Sequence, residues 1–328
     1  MLGALFAFAS AAFFGLNNAA TRRGVLKSTV LQGMAITVPL GIPIFVAFAL
    51  VMGGFQALAA WELPTWGWMA LAGVVHFVLG RYGNYRATQA LGSTLSTPVQ
   101  QLSILVSLVL AMIFLGETLS LLKVMGIALI VVGPMLMVRR SKQPGAASAK
   151  AGPDGFTPEY GPGLFWGGVC ALGYGISPLL IALGLGPGGG MADAVAGVMI
   201  SYAAATVVVV MAVLWMGGPA YMRGMDGGSG FWFVVSAVFV ALSQLFRYMA
   251  LTLAPVSVVV PIQRLSVVFR LIFNAMINRQ HEVFDRWVVL TILLAVGGAV
   301  ALAADGGVLL SFLGVPAKIA AVLAGPLW

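Results

Sequence analysis

Long stretches of this chain carry no charged side chain, and that feature limits its fold more than any other. Apolar runs of the length needed to cross a bilayer core, about 20 residues, recur from Leu2 to beyond position 300. Only 8% of the 328 residues are charged while 61% are hydrophobic, and mean hydropathy is +1.04. A soluble domain carries about a quarter charged residues. Too few are present here to cover a water-exposed surface, so the chain reads as an all-α integral membrane protein. The net charge of +8 has no Lys/Arg tract behind it, and no nucleic-acid partner is expected. One cysteine, Cys170, excludes a disulfide framework and a thiolate metal cluster. No cofactor is expected. Apolar sequence starts at Leu2, ahead of the first basic pair, so no cleavable signal peptide is evident.

The hydropathy pattern predicts ten transmembrane helices, at about 2–20, 29–52, 66–90, 93–114, 120–138, 163–184, 192–216, 231–253, 255–277 and 286–304. Turns as short as Leu91-Gly92 and Ala254-Pro255 imply closed helix hairpins. The polar stretch from Arg139 to Tyr160, rich in Ser, Gly, Pro, Ala and Lys, reads as a flexible linker. The expected organisation is a five-helix unit at 1–138, a linker at 139–161, a second unit at 162–304, and an apolar interfacial tail at 305–328 broken by Pro316 and Pro326.

Internal repetition supports two copies of one unit. Pro98-Val99-Gln100-Gln101-Leu102-Ser103 matches Pro261-Ile262-Gln263-Arg264-Leu265-Ser266 at an offset of 163. The same offset sets Arg81, Asn84 and Tyr85 against Gln244, Arg247 and Tyr248, and Ala11 to Gly15 corresponds to Ala171 to Gly175. An odd number of spans inverts the second copy, so two inverted five-helix repeats are expected, with a site at their interface near the midplane.

These residues resemble the drug/metabolite transporter superfamily with paired EamA domains. Phe114-Leu115-Gly116-Glu117 before the fifth helix carries the resemblance, as does the small-residue and aromatic pattern ending at Gly15 and Gly175. The second half departs from the pattern, with Arg279-Gln280 in place of Gly116-Glu117 and Glu282 two residues on. The resemblance covers residues 1–304 and implies a transporter fold without specifying the substrate.

Charge also bears on orientation. The connectors after odd-numbered helices hold Arg22, Arg23, Lys27, Arg139, Arg140, Lys142, Lys150, Arg223, Arg279 and Arg286, against Lys123 and Lys318 on the other side. This bias predicts the first set in the cytoplasm, with both termini outside, although the family resemblance implies cytoplasmic termini. A multi-pass protein of the bacterial inner membrane is expected.

Arg81, Arg86, Arg247, Arg264 and Arg270 fall inside spans, whose interiors contain no Asp or Glu. Each costs about 2.5–3.5 kcal/mol on insertion scales and requires an anion, dipole or wet cavity in return. At helical spacing Gln263, Ser266, Arg270 and Asn274 form one stripe, matched by Gln100, Ser103 and Ser107 with Ser96. Arg81, Asn84, Tyr85 and Thr88 share a face, as do Gln244, Arg247 and Tyr248. The four stripes predict one central cavity with Arg81, Arg247 and Arg270 as a cationic floor for carboxylate or phosphate oxygens. Arg86 reads as a snorkelling residue, and Arg264, rotated off its stripe, as a cap for a neighbouring helix's carbonyls or else a ligand contact. The glutamines could equally bridge helices.

His76 shares a face with Gly73, Gly80, Gly83 and Ala87, away from Arg81, and reads as a packed histidine. It is nevertheless the one intramembrane candidate for proton coupling near neutral pH. Asn17 and Asn18, with Ser10 and Phe14, could add a cavity wall, with Ser177 replacing Asn17 in the second half. Pro39, Gly41 and Pro43 interrupt the second helix. Gly184 to Gly189 satisfies GxGxxG but follows a membrane helix, so it is a connector and no dinucleotide site.

The expected function is alternating-access transport of a small polar, anionic metabolite by a secondary transporter. A flippase or exporter of an amphipathic or lipid-linked anion is the alternative, and an exporter of amino acids or other zwitterions a third. No catalytic pair or metal motif supports an enzyme. The expected partners are a small-molecule substrate and the lipid bilayer, with a homodimer as an option.

Overall fold

The structure, a computed structural model, describes residues 2–118, 156–186, 189–279 and 314–325, with scattered residues from 120 to 132 and from 289 to 301. Eight helices among them are long and apolar enough to cross a membrane: α1 (Leu2–Gly24), α2 (Val30–Met52), α3 (Leu63–Ser93), α4 (Leu95–Leu115), α5 (Tyr160–Leu185), α6 (Met191–Trp215), α7 (Gly227–Leu253) and α8 (Val256–Ile277). A short helix, α9 (Ala317–Ala324), lies in the tail. The expected fifth and tenth spans and most of the linker fall outside the described residues.

The interior mixes an apolar core with many buried polar side chains, while the outer surface is rich in large apolar ones. Leu5, Val51 and Trp215 are 63%, 85% and 92% exposed, while Asn18, Asn84, Ser107 and Asn274 are fully buried. A soluble fold distributes these residue types the other way. The apolar outer surface suits lipid, and the buried polar groups find their partners on neighbouring helices. The chain is therefore an all-α, multi-pass membrane protein.

Local sequence sets where helices start, stop and bend. Thr29 and Gln32 form a capping box at the start of α2. The Pro39 region then breaks α2 into Val30–Thr37 and Gly41–Met52, as the proline pattern predicts. Gly41 N–H bonds the Val38 carbonyl, releasing the Thr37 carbonyl that a continuous helix would have used. In α3 the segment Val74–Gly80 is π-helical. Gly92, at φ +82°, makes the sharp turn into α4, a conformation that favours glycine.

α1 lies along α7 and α8, and α3 along α5 and α6. Because α1 matches α5 and α3 matches α7 in the repeat, the α1–α7 and α3–α5 contacts join corresponding helices. Ser10 and Ser243 clasp the first pair: each hydroxyl donates to the other's carbonyl, at 2.8 and 2.9 Å. At the second crossing the backbones almost touch. A Cβ on Gly173 would lie 2.7 Å from Gly80 Cα, so only glycine fits there.

Candidate functional site

Five helices converge on a small, partly open cavity of ≈ 30 Å³ lined by Ser10 and Phe14 of α1, His76 of α3, Tyr174 of α5, Ser243, Gln244 and Arg247 of α7, and Gln263 and Arg264 of α8. This is room for a water or two. Two guanidinium groups enter it, and no carboxylate lines it.

Arg247 is held on one side. Its Nη2 donates to Ser177 Oγ at 2.7 Å and its Nη1 lies 2.8 Å from His76 Nδ1, 3.0 Å from Nε2 and 3.3 Å from Gln244 Oε1. Its buried Nε has no hydrogen-bond partner. Arg264 is held far less. Its Nε is likewise buried and unpartnered, and its guanidinium carbon stands 5.9 Å from the centroid of the Tyr174 ring. Gln263 Nε2 donates to Ser10 Oγ at 2.7 Å, closing the cavity between α8 and α1. Phe14 and Tyr174, matched residues in the repeat, meet edge to face with centroids 5.9 Å apart.

The expected cationic floor of Arg81, Arg247 and Arg270 does not form as one surface. Arg81 donates to the released Thr37 carbonyl at 3.1 Å and to Tyr202 Oη at 2.8 Å, and stacks near Phe77 and Tyr202. It serves the break in α2, away from the cavity. Arg270 donates to the Ser93 carbonyl at the α3–α4 turn at 3.1 Å, to Thr97 Oγ1 at 2.9 Å and to Gln100 Oε1 at 3.1 Å. Both satisfy carbonyls exposed where helix hydrogen bonding is interrupted. Arg22, expected in a loop, is also buried and donates to the Thr88 carbonyl at 3.0 Å near the end of α3.

The remaining expected residues divide in the same way. Gln244 and Gln263 line the cavity. Asn84 donates to Asn18 Oδ1 and Tyr174 Oη, at 3.2 and 3.4 Å. Tyr85 donates to Thr37 Oγ1 at 3.1 Å, and its repeat mate Tyr248 to Ser201 Oγ at 2.7 Å. Ser103 donates to the Gln100 carbonyl and Ser107 to the Gly175 carbonyl, at 2.7 and 2.9 Å. Ser266 is buried outside the described lining, and Asn274 Oδ1 accepts from Asn278 at 2.9 Å. Asn17 Oδ1 accepts from Ser236 at 2.7 Å, so of the proposed α1 wall only Ser10 and Phe14 reach the cavity.

Two residues with bland readings from sequence are central. Arg264 enters the cavity, where the sequence allows either a cap for a neighbouring helix or a ligand contact. His76 stacks on Tyr174, the residue that Gly80 of the same face also packs against, and pairs with Ser177, as the packed-histidine reading expects; it also meets Arg247. Tyr174 was missed as a cavity residue, and its match to Phe14 was the available signal. Glu117 of the Phe-Leu-Gly-Glu run has a separate role. Its two oxygens accept from the Val256 and Ser257 N–H groups at 3.1 and 3.0 Å, capping α8 from across the molecule. Gln280 and Glu282, its counterparts in the second half, lie outside the described residues.

A second, outer cavity of ≈ 390 Å³ lies where α3 ends and α5 begins, lined by Arg86, Gln89, Phe156, Glu159 and Trp166 among others. Arg86 Nη1 donates to Gln89 Oε1 at 3.1 Å there, near the end of its span.

The fold is a polytopic helical bundle enclosing a polar, basic cavity. Residues 1–139 are similar to the model of the EamA-like transporter family, which supports a membrane transporter of that type. One solved structure, described only as "Crystal structure of protein", is 16% identical and aligns over 91% of this chain and 95% of its own, with a TM-score of 0.62. That likeness concerns the fold alone. No curated protein matches the chain. Among the described residues no group of three or more His, Cys, Asp or Glu could hold a metal ion.

Proposed function

We propose that this protein is a secondary transporter for a small polar anion, bound in the central cavity and carried by rocking of two inverted five-helix halves. The observation that supports the reading best is Arg264, a cation in a membrane span that faces a void with its Nε unpartnered. Placing such a group costs about 2.5–3.5 kcal/mol, and an anion shared with Arg247 offsets that cost. Carboxylate or phosphate oxygens match the planar guanidinium fork. Gln244, Gln263, Ser10 and Ser243 supply neutral hydrogen-bonding groups that orient the solute. An acyl chain would find no apolar wall beyond Phe14 and Tyr174, and a substrate ammonium would find no carboxylate. The small cavity widens to admit the solute by motion at the α2 break and the π-helical turn, where regular hydrogen bonding is already interrupted.

Thermal unfolding of the purified protein against carboxylates, phosphates and amines tests this. Anions should stabilise the wild type. Arg264→Gln should weaken their binding at least about tenfold, which is about 1.4 kcal/mol. Stabilisation by amines alone, or an anion effect undiminished in Arg264→Gln, would overturn the reading.

A further inference from the structure

The proposed anion site already contains an acceptor for one of its arginines, and that acceptor can change its charge. Arg247 Nη1 contacts the two ring nitrogens of His76 at 2.8 and 3.0 Å, and Ser177 Oγ lies 2.8 Å from His76 Nδ1. A guanidinium only donates, so the ring nitrogen it meets is the bare one, whichever tautomer is present. An imidazolium has two N–H donors and no bare nitrogen. It cannot hold Arg247.

The surroundings of the ring limit what can answer its charge. Arg247 faces it from α7, Arg264 from α8, and Arg81 from the next turn of α3. Tyr174 of α5 stacks on it with centroids 4.4 Å apart, and Tyr202 of α6 lies behind Phe77. None of these is an acid. A positive charge on His76 would therefore need a counter-charge from outside the protein.

We propose that His76 couples a proton to the transported anion. The proposal rests on the anion reading above. In the empty cavity the neutral imidazole and Ser177 serve as acceptors for Arg247. An arriving anion takes their place and accepts from Arg247 and Arg264. The uncovered ring nitrogen then forms an N–H bond with a proton delivered by water, and the imidazolium faces the anion. Anion and proton leave together on the far side: the imidazole returns its proton to water, and Arg247 swings back to it. A monoanion crosses with no net charge.

The test uses the full chain in liposomes holding a trapped pH-sensitive dye, with succinate, inorganic phosphate and benzoate as probes. Wild-type uptake should acidify the lumen and quicken as external pH falls from about 8 to about 6, the range in which histidine ordinarily titrates. His76→Gln retains a carbonyl acceptor for Arg247 but cannot titrate. Whatever uptake it retains should lose both the acidification and the pH dependence. Acidification undiminished in His76→Gln overturns the coupling. So does wild-type uptake that depends on Arg264 but moves no protons, a readout that needs no His76 variant to fold. Absence of uptake of all three probes, or uptake unchanged in Arg264→Gln, removes the anion reading itself and the coupling with it.

Discussion

The two sequence-matched halves share a framework and differ in charge. Tyr85 donates to a threonine hydroxyl of α2, and Tyr248, its match, to a serine hydroxyl of α6. The helix contacts α1–α7 and α3–α5 are likewise counterparts. The arginines break the correspondence. Arg247, Arg264 and Arg270 of the second half stand where the first has Asn84, Gln101 and Ser107, while Arg81 stands against Gln244. Gln101 does not open into the cavity as Arg264 does; its Nε2 donates to the Arg264 carbonyl at 3.4 Å. Both cations of the cavity come from the second half, and the first supplies His76. Segments that match in sequence thus contribute unequally to the cavity, because hydroxyl pairs tolerate repetition while a second set of buried cations would have no compensation.

This contrast can be broken first at Arg270. Arg270→Ser copies the residue of the first half and leaves the Ser93 carbonyl and Gln100 Oε1 without this donor. The Ser93 carbonyl keeps the Ser96 and Thr97 hydroxyls as donors, so unfolding in detergent should show a loss of about 1–3 kcal/mol from the deserted Gln100 Oε1. Anion binding at Arg264 should survive in the folded fraction. A stable Arg270→Ser that loses anion binding would instead return Arg270 to the substrate site.

Glu117 gives a smaller effect. It is the first half's support for a helix of the second, and Glu117→Gln retains one accepting oxygen for two N–H donors. The expected loss is about 1–2 kcal/mol, seen as a lower melting midpoint. No change would mean that Val256 and Ser257 find other acceptors.

Asp226 caps α7 from the exposed end, and Asp226→Ala sharpens the same comparison by the least amount. Its Oδ2 accepts from the Ser229 N–H at 2.9 Å, and that backbone hydrogen bond holds its carboxyl below the usual range. A group whose folded value is depressed stabilises above its unfolded value, about 3.9, and loses that contribution as pH falls through the folded value. The midpoint difference between wild type and Asp226→Ala should be small at neutral pH and shrink in acid.

Much of the fold was legible in the residues. The apolar runs marked eight of the described spans, and Pro39 marked the break in α2. The site was less so. The helical wheels gathered Gln244, Arg247 and Gln263 correctly, and they gave Arg81 and Arg270 to the same cavity because both are buried cations on polar stripes. A stripe does not reveal that interrupted helices nearby offer carbonyls off the regular ladder, which is where Arg81 and Arg270 go.

The sequence by itself determined that this chain lives in lipid, that its helices recur as matched units, and that several cations must be buried. Those conclusions follow from transfer energies and periodicity, which act residue by residue. Only the tertiary structure decided which cations are satisfied by the backbone and which face an open space. A guanidinium's fate depends on acceptors contributed by helices distant in the chain, such as the His76 and Ser177 side chains that meet Arg247.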